Sequence, residues 1–237
     1  MRILSLGILI ILTLTAPSWS AADKDRQEKV KEGLRALQEF IGSWKGSGSP
    51  KVNPGPRDKF WTENIKWNWR FKGDDCWLAV DFGGGKLFQS AEMRYLPEDN
   101  KYRLSALPSG AKKPVVFEGQ LKDEKLVLER TDEDSGEIQR IRMNTAAEGV
   151  RFIYYVDRKK MGGTIWRLEA MVQSTREGES LAKNTKQGPE CVVSGGLGTT
   201  PVSYMGETFY VCCSGCMQAF KENPKKYVDE FKSKKKK

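Results

Sequence analysis

The chain contains no histidine. That absence removes Ser-His-Asp and Cys-His catalysis, histidine general bases, histidine-ligated haem and every mixed Cys/His zinc site. Any metal must therefore be held by sulfur or oxygen. Cysteine is scarce as well: there are five, and none precedes Cys76, so a lipid-modified cysteine near the N-terminus is excluded. At the N-terminus, Arg2 is followed by the uncharged stretch "ILSLGILIILTLTA" and then by "SWSAA", small residues at the spacing a signal peptidase reads. Residues 1–20 are read as a secretory signal, too short for a membrane span of roughly 20 apolar residues. The mature chain is expected to be periplasmic or secreted and not membrane-spanning. In such a compartment cysteines are commonly oxidised.

The formal charge is +9, but it is concentrated at one end. With Arg2 and the lysines at 232 and 234–237 set aside, the balance falls to +3. The segment "FKSKKKK" reads as a solvated basic tail over 232–237 rather than a nucleic-acid-binding arm. No nucleic-acid partner is expected.

After the signal, Val30, Leu34, Leu37 and Ile41 recur at helical spacing among charges, which predicts one amphipathic helix ending at Gly42. From there to about residue 175 the period changes to 2. In "ENIKWNWRF", Ile65, Trp67, Trp69 and Phe71 fall on one face, with Lys66, Asn68 and Arg70 on the other. Nine or ten such short runs, separated by turn-rich pieces such as "FGGGK" and "TDEDSGE", favour a closed up-and-down barrel. Trp61, Trp67, Trp69 and Trp77 lie close together in this region. They line a cavity for a small apolar ligand or, as is expected for a small barrel, fill the interior themselves. Cys76 has no sequence-local partner and reads as a buried thiol.

The segment 176–189 is polar, rich in glycine and proline, and aperiodic, as a linker is. Beyond it, a unit of fewer than 50 residues holds four of the five cysteines. A unit that small normally needs disulfides or a metal. Cys212 and Cys216, four apart, share a face if both sit on a first helical turn, where the helix dipole favours thiolates. Cys191 arrives from the start of a predicted hairpin with its turn at Met205–Gly206, and Cys213 adds a fourth thiol. Three or four soft thiolates suit Cu(I) or Zn(II). Two other readings stay open. One is a pair of disulfides, although the adjacent Cys212 and Cys213 must then find separate partners. The other is a redox couple in the Cys213-x-x-Cys216 pair, for which the unit is too short to supply a thioredoxin-like βαβ frame.

Two resemblances extend this reading. "LQEFIGSWKGSG", Leu37 to Gly48, resembles the opening of lipocalin-like domains around the nitrobindin family, where a short helix leads into a strand carrying Gly-x-Trp. The likeness covers about 35–175 and implies a barrel with an internal pocket; with the N-terminal helix the barrel domain is read over 21–175. Nitrobindins hold haem through a histidine, so its absence here argues against haem. "Tyr-x-Cys-Cys-x-Gly-Cys-x-x-x-Phe-x-x-x-Pro-x-x-Tyr", carried by Tyr210, Cys212, Gly215, Cys216, Phe220, Pro224 and Tyr227, resembles the YHS domain of the TRASH type, modules found beside heavy-metal transport proteins. That likeness covers 190–231 and implies metal binding. Val192 stands where the family has a proline after its first cysteine, and the histidine common in the family's hairpin is missing. The expected fold is thus mainly β: an antiparallel lipocalin-like barrel with an N-terminal helix, plus a small α+β cysteine-rich unit. The expected function is metal binding without catalysis, through Cys191, Cys212, Cys213 and Cys216.

Overall fold

The structure is a computed structural model that describes residues 21–50, 59–178 and 188–235. The signal reading over 1–20 and most of the linker reading lie outside the described residues. Helix α1 spans Ala21–Arg35, shorter than the predicted helix, and a separate 3-10 turn follows at Gln38–Phe40. The break has a packing reason: it turns Phe40 into the end of the barrel, edge-on to Trp67 at 5.4 Å and to Phe152 at 5.1 Å between ring centres.

Ten antiparallel strands follow, each paired with its neighbours in sequence: β1 Gly42–Ser49, β2 Trp61–Lys72, β3 Asp75–Gly83, β4 Phe88–Leu96, β5 Lys101–Pro108, β6 Val115–Lys122, β7 Lys125–Thr131, β8 Ile138–Ala146, β9 Arg151–Lys159 and β10 Arg167–Arg176. Pairing of β1 with β10, Trp44 opposite Arg176 and Ser49 opposite Met171, closes the barrel. Closure leaves no unpaired sheet edge. The alternation read from β2 holds: Ile65, Trp67 and Trp69 are buried, while Lys66 and Arg70 are exposed. Trp44, Phe117, Phe152 and Tyr154 join them in the interior. Trp77 does not. Its odd position on β3 points it outward, where the Arg94 guanidinium lies 4.9 Å from its ring centre.

Two described barrel residues that are charged by type are buried, Asp157, which pairs with Arg140 and Arg142, and Glu63. Glu63 is 1% exposed, and its carboxyl group accepts hydrogen bonds from Trp61 Nε1 and Tyr154 Oη, each 2.8 Å long. Burial raises its pKa above the ordinary 4.5 despite those two bonds. Between pH 4.5 and its folded pKa, the folded chain therefore holds a proton that the unfolded chain has released. Stability contributed by Glu63 is present below that window and is lost as pH rises through it. Urea unfolding from pH 4 to 8 should show the Glu63→Gln variant gaining stability relative to wild type as pH rises. A pH-independent difference between the two would contradict this account.

The cysteine-rich unit is a two-stranded hairpin, β11 Thr200–Tyr204 and β12 Glu207–Val211, followed by helices α2 Ser214–Glu222 and α3 Pro224–Lys234. Met205 and Gly206 take positive φ values of 50° and 81°, as a tight two-residue hairpin turn requires. The two helices separate at Asn223 and Pro224. Pro224 opens α3, and Asn223 caps it by accepting from the Lys226 amide at 3.2 Å. The expected basic tail is corrected in part: α3 runs through Lys232 to Lys234, because these lysines have acidic partners. Lys234 pairs with Glu28 on α1 at 2.6 Å, and Lys232 pairs with Glu207.

The unit docks against the barrel end that Phe40 plugs, and the buried side chains of both form one continuous core. Helix α2 lies on β2, with Ser214 Oγ donating to Asn68 Oδ1 at 3.1 Å. Arg35 Nε donates to the Ser194 carbonyl at 2.8 Å, and Lys226 pairs with Asp74 at 2.7 Å. Phe71, on the face of β2 that packs the core, meets Tyr227 edge-on at 6.3 Å.

Candidate metal centre

Three thiols from three separate pieces of backbone converge beneath α2. Cys191 begins a tight turn in which its carbonyl accepts from the Gly195 amide at 2.8 Å and its amide donates to the Gly196 carbonyl at 2.6 Å. An isolated bridge to Tyr210 ties this turn to β12. Cys212 follows the last residue of β12, and Cys216 sits in the first turn of α2. Their sulfur atoms all lie within 4.8 Å of one another. Cys191 and Cys216 are fully buried, and Cys212 is half-buried.

The sequence places Cys212 and Cys216 on one helical turn, but α2 begins only at Ser214. Cys213 is the N-cap in extended conformation, so Cys212 lies outside the helix. It still reaches Cys216 at 3.5 Å between sulfurs, because the extended cap residue swings its predecessor back over the helix start. That separation is far longer than a disulfide bond of about 2.05 Å. It is close to the edge of a tetrahedron with Zn–S bonds of about 2.3 Å, which is about 3.8 Å. All five cysteines carry free thiols. Cys213 adjoins Cys212 and Cys216 but does not belong to the three sulfurs that all lie within 4.8 Å of one another. Cys76 is not one of them; it is buried on β3, with its thiol pushed up to about 11 mainly by desolvation.

Ser194 belongs to the site and was not singled out from the sequence. It is fully buried; its amide donates to Cys191 Sγ at 3.4 Å, and its hydroxyl lies 3.4 Å from Cys212 Sγ. The only signal for it was the turn-forming "SGG" after Cys191. Hydrogen bonds with Cys212 and then Cys216 hold Cys191 below the ordinary thiol range, and the same two neighbours lower Cys213. Cys212 is raised, first through Cys191 and then Cys213, and Cys216 is raised chiefly by burial. In chemical terms Cys191 and Cys213 are favoured as thiolates, and Cys212 and Cys216 as neutral thiols. A bound cation offsets the mutual repulsion of three thiolates, and this donor set of soft sulfur fits Cu(I) or Zn(II).

Comparison with known proteins bears on each half. No curated protein matches the chain at a significant level. A solved chain described as the crystal structure of Rv2717c from M. tuberculosis aligns with 61% of this chain and 97% of its own length, at 16% identity and a TM-score of 0.38, too slight a likeness to carry an argument. Residues 200–230 match the YHS domain, a span that takes in Cys212, Cys213 and Cys216 but stops short of Cys191. The chain joins a closed ten-stranded antiparallel barrel to a C-terminal unit whose residues 200–230 match the YHS domain.

Proposed function

We propose that the protein is a periplasmic or secreted binding protein, without catalytic activity, that captures one soft transition-metal ion, Cu(I) or Zn(II), through Cys191, Cys212 and Cys216. The observation that carries this reading is the convergence of three thiols from a turn, a strand end and a helix within 4.8 Å. The YHS match over 200–230 supports the same chemistry. In this reading the barrel is a rigid mount: its interior aromatics are buried, and α2 packs on β2, so the position of Cys216 follows the barrel wall. A small apolar ligand in the barrel belongs to the proposal only as an accessory.

The test is elemental analysis of the mature chain purified from its own compartment, with a parallel count of free thiols. Roughly one copper or zinc per chain is expected, with the three thiols protected from alkylation until the metal is removed. The rival is a disulfide-stapled module, favoured by the compartment. Four paired C-terminal cysteines, with no metal taken up after reduction, would establish that rival and end the metal reading.

A further inference from the structure

A cavity of about 570 Å³ lies at the junction of barrel and YHS domain. On the barrel side it is walled by the 3-10 turn and the start of β1, the β8–β9 turn and the end of β10; Leu197, Thr199 and Cys212 wall it from the cysteine-rich unit. Of the three convergent thiols, Cys212 alone lines this cavity; Cys191 and Cys216 have no exposed surface. We infer that the cavity is the route by which the metal enters and leaves, and that Cys212 is the first ligand to take it and the last to release it. This inference rests on the metal-capture reading above.

The cavity's size suits a cation that still carries water. At about 30 Å³ per water molecule it holds on the order of twenty, enough for a complete first hydration shell. Its charge suits a cation too. Glu39, Glu148 and Glu177 line it against a single guanidinium, that of Arg176. Arg176 is engaged by the wall itself: Nη1 donates to the Ile41 carbonyl at 2.7 Å, Nη2 to the Glu39 carbonyl at 2.7 Å and Nε to the Gly149 carbonyl at 3.1 Å. Its guanidinium also lies 4.1 Å from the Trp44 ring centre. These contacts bridge three segments of the rim, so the cavity is built into the fold. A cation drawn in by the carboxylates exchanges water for the Cys212 sulfur, and Cys216, 3.5 Å beyond it, lies in position to follow.

Zinc(II) alone is the probe, mixed with the reduced full-length mature protein in stopped flow; its removal by a small chelator gives the reverse rate. Thr199→Trp fills the cavity from a position whose side chain is exposed. It should slow loading and extraction by a common factor of about ten or more, leaving the equilibrium affinity unchanged. Replacing both Glu148 and Glu177, each exposed, with glutamine should slow loading by about threefold to tenfold and flatten its dependence on salt. This second variant leaves the packing untouched and decides the matter if the tryptophan disturbs the fold. Loading at the wild-type rate in both variants would overturn the route while leaving metal capture intact. Failure of the wild type to bind zinc or copper at all would overturn both.

Discussion

Replacing Cys216 with serine should lower affinity for Zn(II) or Cu(I) by about a thousandfold in a chelator competition. The estimate takes one of three thiolates as roughly a third of the ~10–16 kcal/mol seen for structural zinc sites. Serine keeps the shape nearly unchanged but offers a hard oxygen that stays protonated at neutral pH. Cys216 is fully buried, so water is poorly placed to take over as ligand. Metal saturation at 100 times the dissociation constant should stabilise the wild type by about 2.7 kcal/mol, and the variant should lose that rise in melting temperature. Cys213→Ser should change affinity by less than about tenfold, since Cys213 adjoins Cys212 and Cys216 without belonging to the three sulfurs that converge. Cys76→Ser should leave it unchanged, since Cys76 lies on β3 and is not among the sulfurs that converge. If Cys213→Ser and Cys216→Ser proved equivalent, the assignment of three ligands would be wrong.

The second large effect is expected at Gly215, and here two physical tendencies oppose each other. Alanine is the better helix former by about 1 kcal/mol, so propensity alone makes Gly215→Ala stabilising. The contact with the barrel reverses the sign. A Cβ at Gly215 would stand 1.7 Å from the Trp69 carbonyl oxygen and 2.8 Å from its carbon. That carbonyl belongs to β2, which at Trp69 has passed its last pair with β1, at Trp67, but is still held by β3 through Leu78, so its room to move is small. Helix α2 must instead lift by more than 1 Å, loosening Phe220 and Ala219 in the shared core and moving Cys216 with it. The expected cost is about 3 kcal/mol of unfolding free energy, at the upper end for overpacking, together with weakened metal binding. Denaturant unfolding of the apo proteins checks the first and chelator competition the second. A variant as stable as wild type would mean that α2 does not rest on β2 as described.

The local features of this chain were legible residue by residue. Alternation in "ENIKWNWRF" set which face of β2 turns inward, because side chains on a strand have period 2 whatever the strand later pairs with. Met205–Gly206 marked the hairpin turn, since a tight turn acts through backbone torsions of its own. The spacing of Cys212, Cys213 and Cys216, with Cys191 upstream, nominated the thiols as a group. Tertiary structure decided the rest. Which thiols converge depended on the extended N-cap at Cys213, which places Cys212 over Cys216 from outside the helix. Ser194 entered the site because the Cys191 turn folds back onto β12, a contact between segments far apart in sequence. The two units read from composition as separate share one core through α2, β2 and the plug at Phe40, and the cavity beside Cys212 exists only where they meet. Sequence periodicity describes each element against its own axis. Docking between elements depends on which surfaces become complementary once all of them have formed, as the bare Cα of Gly215 against Trp69 illustrates.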